Sequence, residues 1–155
     1  MAIKECCNIG VVCCTPDTPL SDVAALMRKH HVGDVIVIEE KEGERYPLGV
    51  VTDRDIVIET LSVQIDASVF TAGDIMSSPL VTVHEEAGFV ETLRLMRDNK
   101  IRRMPVVTGT GVLTGIVTAD DVINLLAMEL SLMTAAIIEQ PVKEGKLRKE
   151  WSGGS

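Results

Sequence analysis

Aromatic residues are almost missing from this chain: one Trp, one Tyr and two Phe in 155 residues. Its core must therefore be packed from Val, Ile, Leu, Met and Ala, and the apolar fraction of 46% is large enough to supply one. Positive charge is also short. Fifteen Lys and Arg face 23 Asp and Glu, a net charge of −8. That balance excludes general nucleic-acid binding, which needs a basic surface to neutralise phosphates. No uninterrupted apolar run approaches the roughly 18 residues of a membrane span, so no membrane partner is expected. Met1-Ala2-Ile3-Lys4-Glu5 has neither the charged start nor the apolar centre of a signal peptide, and a cytoplasmic protein is the default. There is no Ser-His-Asp or Cys-His pattern and no Walker lysine loop, so no enzyme is expected.

What the chain does have is a duplicated corner. Gly49-Val50-Val51-Thr52-Asp53-Arg54-Asp55 returns as Gly115-Ile116-Val117-Thr118-Ala119-Asp120-Asp121, 118 − 52 = 66 residues later. A β-branched run favours extended backbone. Thr-x-x-Asp ahead of a new apolar run is a helix start. Each copy therefore reads as strand, tight turn and helix N-terminus. The outward N–H groups of such a corner suit an anion or a hydroxyl-rich ligand. The competing reading is that Thr52 and Thr118 only cap their helices.

The repeat extends upstream at an offset of 69. Leu20, Val23, Ala24 and Met27 keep helical spacing, as do Phe89, Val90, Leu93 and Met96. Val11-Val12-Cys13-Cys14 matches Leu80-Val81-Thr82-Val83, and Val35-Ile36-Val37-Ile38 matches Met104-Pro105-Val106-Val107. The offset falls to 66 because the first half has the longer hairpin, with a charged, turn-like segment from Glu39 to Pro47 against Thr108-Gly109-Thr110-Gly111. Each half reads strand, helix, strand, strand, helix. A half of this size buries too little alone, so the two should pack on each other. The predicted class is α/β (α+β): two pseudo-symmetric repeats, each a small sheet with two helices, packed as one module. The first repeat spans 1–62, a linker 63–73, the second repeat 74–127, and a helix extension with tail 128–155.

After Asp121 an apolar stripe runs through Val122, Leu126, Leu130, Met133 and Ile137, predicting a helix to about Glu139, where Pro141 interferes. Leu125, Leu132 and Ala136 lie off that stripe. A helix apolar on more than one face needs a second partner, either another subunit or its own chain. Trp151 to Ser155 reads as loop or tail. Cys6-Cys7 and Cys13-Cys14 align with Ile75-Met76 and Thr82-Val83, ordinary core and strand residues, so they are read as core filling without metal. His30, His31 and His84 show no ligand spacing with the cysteines.

A tandem strand–helix–strand–strand–helix unit ending in Gly-h-h-Thr-x-x-Asp resembles the cystathionine-β-synthase (CBS) domain family, from about Cys6 to Leu126. The resemblance implies a compact pair with clefts for AMP, ADP, ATP or S-adenosylmethionine. It also implies association into a homodimer, no required cofactor, and regulation of an attached or partner protein of unknown identity. It assigns Thr118 and Asp121 to ribose and phosphate and Met104-Pro105 to the base. Arg102 and Arg103 lie just before that segment, where a guanidinium can meet a phosphate. The first half keeps Thr52 and Asp55 and adds Arg54, but has Gly33-Asp34-Val35-Ile36 without a proline, and Asp34 stands where the second half has Arg103. The stronger cleft is expected at Thr118 and Asp121. The alternative to a ligand-binding module is a ligand-independent dimerisation scaffold with vestigial clefts.

Overall fold

The computed structural model describes residues 2–78 and 80–152, with side chains through 138. Each half holds a three-stranded mixed sheet. In the first, β1 (Cys13–Cys14) runs parallel to β2 (Asp34–Lys41), which pairs antiparallel with β3 (Glu44–Thr52). α1 (Leu20–His30) supplies the crossover, and α2 (Asp53–Ile56) follows β3 and runs into a π-helical turn, Val57–Leu61. The short helix α3 (Ala72–Ile75) leads into the second half. There β4 (Val83–His84), α4 (Phe89–Asn99), β5 (Arg103–Val107), β6 (Leu113–Thr118) and α5 (Ala119–Ser152) repeat the plan.

Local sequence explains the elements. α1 buries Leu20, Val23 and Met27 of its predicted face; α4 buries Phe89 and Met96 as predicted, but with Thr92 in place of Val90, which is exposed. Both end on a left-handed residue at equivalent positions, His31 (φ 53°) and Lys100 (φ 55°). The leading strands are shorter than predicted: only Cys13–Cys14 and Val83–His84 pair. The first hairpin is more regular than predicted. β2 and β3 continue to Lys41 and Glu44 around a two-residue turn, Glu42-Gly43, with both φ positive. Their charged residues sit on an exposed ribbon, and Pro47 lies beside the bulge at Val37/Ile38.

Two apolar cores lie inside the halves and a third joins them, built on Ile36, Ile38 and Leu113 with Val50 and Ile116. The leading segment of each half crosses to the other. Ile3 is fully buried in the second half's core, and Asn8 bridges Ile116 through paired backbone hydrogen bonds of 2.8 and 2.9 Å. Symmetrically, Ala72 enters the first half's core, and Ser77 bridges Val50. This crossing accounts for the motif glycines. A Cβ on Gly115 would lie 2.7 Å from Cys7 Sγ and 2.9 Å from the Asn8 carbonyl oxygen; one on Gly49 would meet Met76 Sδ at 2.7 Å and the Ser77 oxygen at 2.8 Å.

α5 departs from the sequence reading in its length and its hydropathy, and bears on an alternative left open there. It runs through Pro141 to Ser152, carrying Trp151 in helix rather than tail; strong helix formers on both sides outweigh the one hydrogen bond a proline removes. Gly153 to Ser155 lie outside the described residues. It does not lie along its own chain: Leu130, Leu132, Met133 and Ile137 are exposed. Finally, Ala119–Ile138 is long and apolar enough to cross a membrane by length and composition, with mean hydropathy 1.7. Isolated polar residues, Asn124, Glu129, Ser131 and Thr134, hid this from a search for unbroken runs.

Candidate functional site

Both motif corners fold as helix starts. Asp55 N–H donates to Thr52 Oγ1 at 3.1 Å, and Thr52 N–H donates to Asp55 Oδ2 at 3.1 Å. Asp121 N–H to Thr118 Oγ1 (3.1 Å) and Thr118 N–H to Asp121 Oδ2 (3.3 Å) repeat the arrangement. Each pair is a reciprocal cap. A third Thr-x-x-Asp, Thr71 to Asp74, forms the same box at α3. The sequence reading passed over it as linker. Capping is thus common to all three, and only surrounding space separates a site from a cap.

That space opens at the first corner. One lobe of about 240 Å³ is lined by Gly33, Asp34, Thr52, Asp53 and Arg103; another of about 260 Å³ is lined by Asp34, Val50, Thr52, Ile101, Arg102 and Arg103. They share Asp34, Thr52 and Arg103 and form one cleft, in the size range of small-molecule sites. Residues of both halves build it: β2 and β3 give Asp34, Val50 and Thr52, while the α4–β5 corner gives Ile101, Arg102 and Arg103.

Arg103 Nη1 donates to Asp34 Oδ1 at 3.0 Å, across a sequence separation of 69. That separation equals the repeat offset, so two equivalent positions meet across the pseudo-twofold axis. Asp34 is nearly buried, with 10% of its side chain exposed, whereas Arg103 is 51% exposed. The carboxylate is held and the guanidinium is free to turn. Arg102 makes an exposed pair with Asp120 at 3.1 Å, a contact worth little in water.

Relative to the sequence reading, the two arginines stand in the cleft with Thr52, not with Thr118. Thr118 and Asp121 are half-buried and line neither lobe. Met104 is 0% exposed and Pro105 is buried, so their side chains present no surface to a base; the apolar surface in the cleft comes from Val50 and Ile101 instead. Arg54 is exposed on α2, and Asp55 is half-buried in its cap. Asp34, Gly33, Asp53, Val50 and Ile101 were not among the predicted residues. Opposite charges at positions 34 and 103, one repeat apart, were the readable signal.

The cysteines sit against the cores as core fillers do: Cys14 within the first, Cys6 and Cys7 against the second, Cys13 against the joining cluster. Burial raises all four thiol pKa values, Cys14 to about 11. Among the described residues no three or more His, Cys, Asp or Glu gather as a metal site.

A family model described as CBS domain matches this sequence twice, over residues 3–62 and 72–128. An uncharacterized protein of Methanopyrus kandleri is 33% identical over 144 residues, covering 93% of this chain and 69% of its own length. The structure of hypoxic response protein I with two coordinated zinc ions superposes with a TM-score of 0.69 at 30% identity, covering 80% of this chain and 98% of that one; the curated sequence of hypoxic response protein 1 is from Mycobacterium tuberculosis. A CBS domain protein from Pyrobaculum aerophilum, complexed with AMP, superposes with a TM-score of 0.72 at 25% identity, covering 86% of this chain and 99% of that one.

Proposed function

This chain belongs to the CBS domain family, and we propose that it is a non-catalytic regulatory module that takes an adenosine-containing ligand between its repeats and acts on a partner protein. The carrying observation is the cleft in which Arg103 of one half meets Asp34 and Thr52 of the other. Val50 and Ile101 offer an apolar wall for a base. Thr52 and Asp53 sit where ribose hydroxyls need partners, since a carboxylate accepts from vicinal hydroxyls. Arg103, with Arg102 beside it, is the phosphate group's partner. A phosphate would compete with Asp34 for the Arg103 guanidinium, which links binding to the contact between halves. AMP bound to the Pyrobaculum relative supports this ligand class. The corner at Thr118 and Asp121 is the second, weaker candidate. No cofactor is needed. Free cysteines suit a reducing, cytoplasmic setting.

Action on a partner draws support from an exposed apolar face at the end of the first half, where Val57, Ile58 and Leu61 of its second helix and Val63 just beyond stand in solvent. The same face also favours the second reading, a scaffold with vestigial clefts. Titration calorimetry with AMP, ADP, ATP and S-adenosylmethionine separates the two. At least one phosphate ligand should bind, Arg103→Ala should weaken it about tenfold or more, and Asp34→Asn should tighten it by releasing the arginine. If none of the four ligands binds the wild-type chain, the scaffold reading stands.

A further inference from the structure

The cleft at the first corner carries both signs of charge. Arg102 and Arg103 stand on the second half's side, Asp34 and Asp53 on the first half's side. Gly33 makes room for one of these carboxylates: a Cβ there would lie 3.2 Å from Asp53 Oδ2. The lobe of about 240 Å³ is thus walled by two carboxylates, the Thr52 hydroxyl and the Arg103 guanidinium. Apolar Val50 and Ile101 are confined to the lobe of about 260 Å³. One lobe suits a planar base; the other suits a small group that carries both charges.

Asp34 decides what that group must be. Its side chain is 10% exposed, and among the described residues Arg103 is the one hydrogen-bond partner of its carboxylate, at 3.0 Å. On its other flank Asp34 borders a crevice of about 50 Å³, where Asn8 is the only other polar side chain and Val32, Ile36 and Ile116 are among the apolar ones. No cation lines that crevice, so nothing there replaces a guanidinium that has turned away.

Breaking a nearly buried ion pair from one side leaves an uncompensated charge, and that loss exceeds the worth of the pair itself. A phosphate meets the guanidinium alone. It would leave Asp34 unpaired and set further negative charge beside it, with Asp53 on the same lobe and a net charge of −8 on the whole chain. An α-amino acid group acts on both members of the pair. Its carboxylate accepts from the guanidinium and its ammonium donates to the Asp34 carboxylate, so each exchanges one partner for another and neither is left bare. Arg103 is 51% exposed, which gives it room to swing and admit the group.

We propose that Asp34 is a specificity-determining residue, which makes this cleft prefer adenosine bearing an α-amino acid arm over adenosine bearing phosphate. Arg103 serves both classes; Asp34 serves the first and opposes the second. The inference rests on the adenosine reading of the cleft and ranks ligands within it. Titration calorimetry of the full chain with S-adenosylmethionine, S-adenosylhomocysteine, 5′-methylthioadenosine and AMP tests it. S-adenosylhomocysteine carries the arm without the sulfonium charge, and 5′-methylthioadenosine carries neither arm nor phosphate. The wild-type chain should bind the two amino acid compounds at least about tenfold tighter than the other two. Asp34→Asn should weaken those two about tenfold and tighten AMP, which reverses the order. Asp34→Ser should do the same, and thermal unfolding should show both variants folded. Equal shifts for all four ligands would make Asp34 a mere wall of the cleft and overturn the selector. So would 5′-methylthioadenosine or AMP binding the wild-type chain as tightly as S-adenosylhomocysteine; the adenosine reading then stands. Silence from all four overturns the selector and the adenosine reading together.

Discussion

Replacing Gly115 by alanine puts one methyl group where the first eight residues cross onto the second half. The new Cβ would lie 2.7 Å from Cys7 Sγ and 2.9 Å from the Asn8 carbonyl oxygen. The sulfur can swing away; the carbonyl cannot, because Asn8 and Ile116 exchange two backbone hydrogen bonds at that spot. Losing the bridge costs about 1 kcal/mol for each bond. Crowding a packed site adds about 1–3 kcal/mol, and the stiffer unfolded chain returns about 0.4–1 kcal/mol. The net expectation is a loss of about 2–4 kcal/mol, or a Tm lower by roughly 6–12 °C for a chain of this length. Urea unfolding followed by circular dichroism measures it, with the slope held to the wild-type value. Cys7→Ala in the same chain should recover only part of the loss, since the carbonyl contact remains. Gly88→Ala is the control: no atom lies within 4 Å of its Cβ and its φ is −82°, so stability should move by less than about 0.5 kcal/mol. A Gly115→Ala loss below about 1 kcal/mol, or full recovery in the double variant, refutes the crossing as the reason for the glycine.

Two further outcomes follow from the same geometry. Thr52→Ala and Thr71→Ala should each cost about 1 kcal/mol as lost caps, but only Thr52→Ala should reduce AMP binding; equal effects on binding would remove Thr52 from the cleft. Cys14 holds its proton up to about pH 11 when folded, through burial, against an ordinary thiol value of 9.0. Between those values the folded chain keeps a proton that the unfolded chain has lost, so stability should fall as pH rises from 9 to 11. Cys14→Val should flatten that fall in urea titrations at stepped pH; an unchanged slope would assign the fall elsewhere.

The repeat was legible because it is written twice. Glycine, a β-branched run and Thr-x-x-Asp in two copies yielded the corners, and helical spacing yielded α1 and α4 to within a residue or two. The cleft's position was less legible. It depends on which corner faces open space, and that is set by the crossing segments and by Arg103 reaching to Asp34, both products of packing over long sequence distances. Met104 and Pro105 look like ligand contacts in a linear pattern but fill the core, because strand β5 is covered on both faces. Pro141 looks like a stop, yet one missing hydrogen bond inside so long a helix is a local loss. Thr71 to Asp74 carries the same letters as the two corners, forms the same cap, and lines neither lobe of the cleft.

The interlocked openings of the two halves bear on how this protein can be taken apart. Severing the chain in the stretch between Ser62 and Thr71 would not yield two separable pieces, since each fragment keeps a plug lodged in the other. A fragment holding only the second repeat would have a hole where Ile3 belongs, and supplying residues 2–8 as a peptide should help to fill it. The smallest part able to stand alone is the pair.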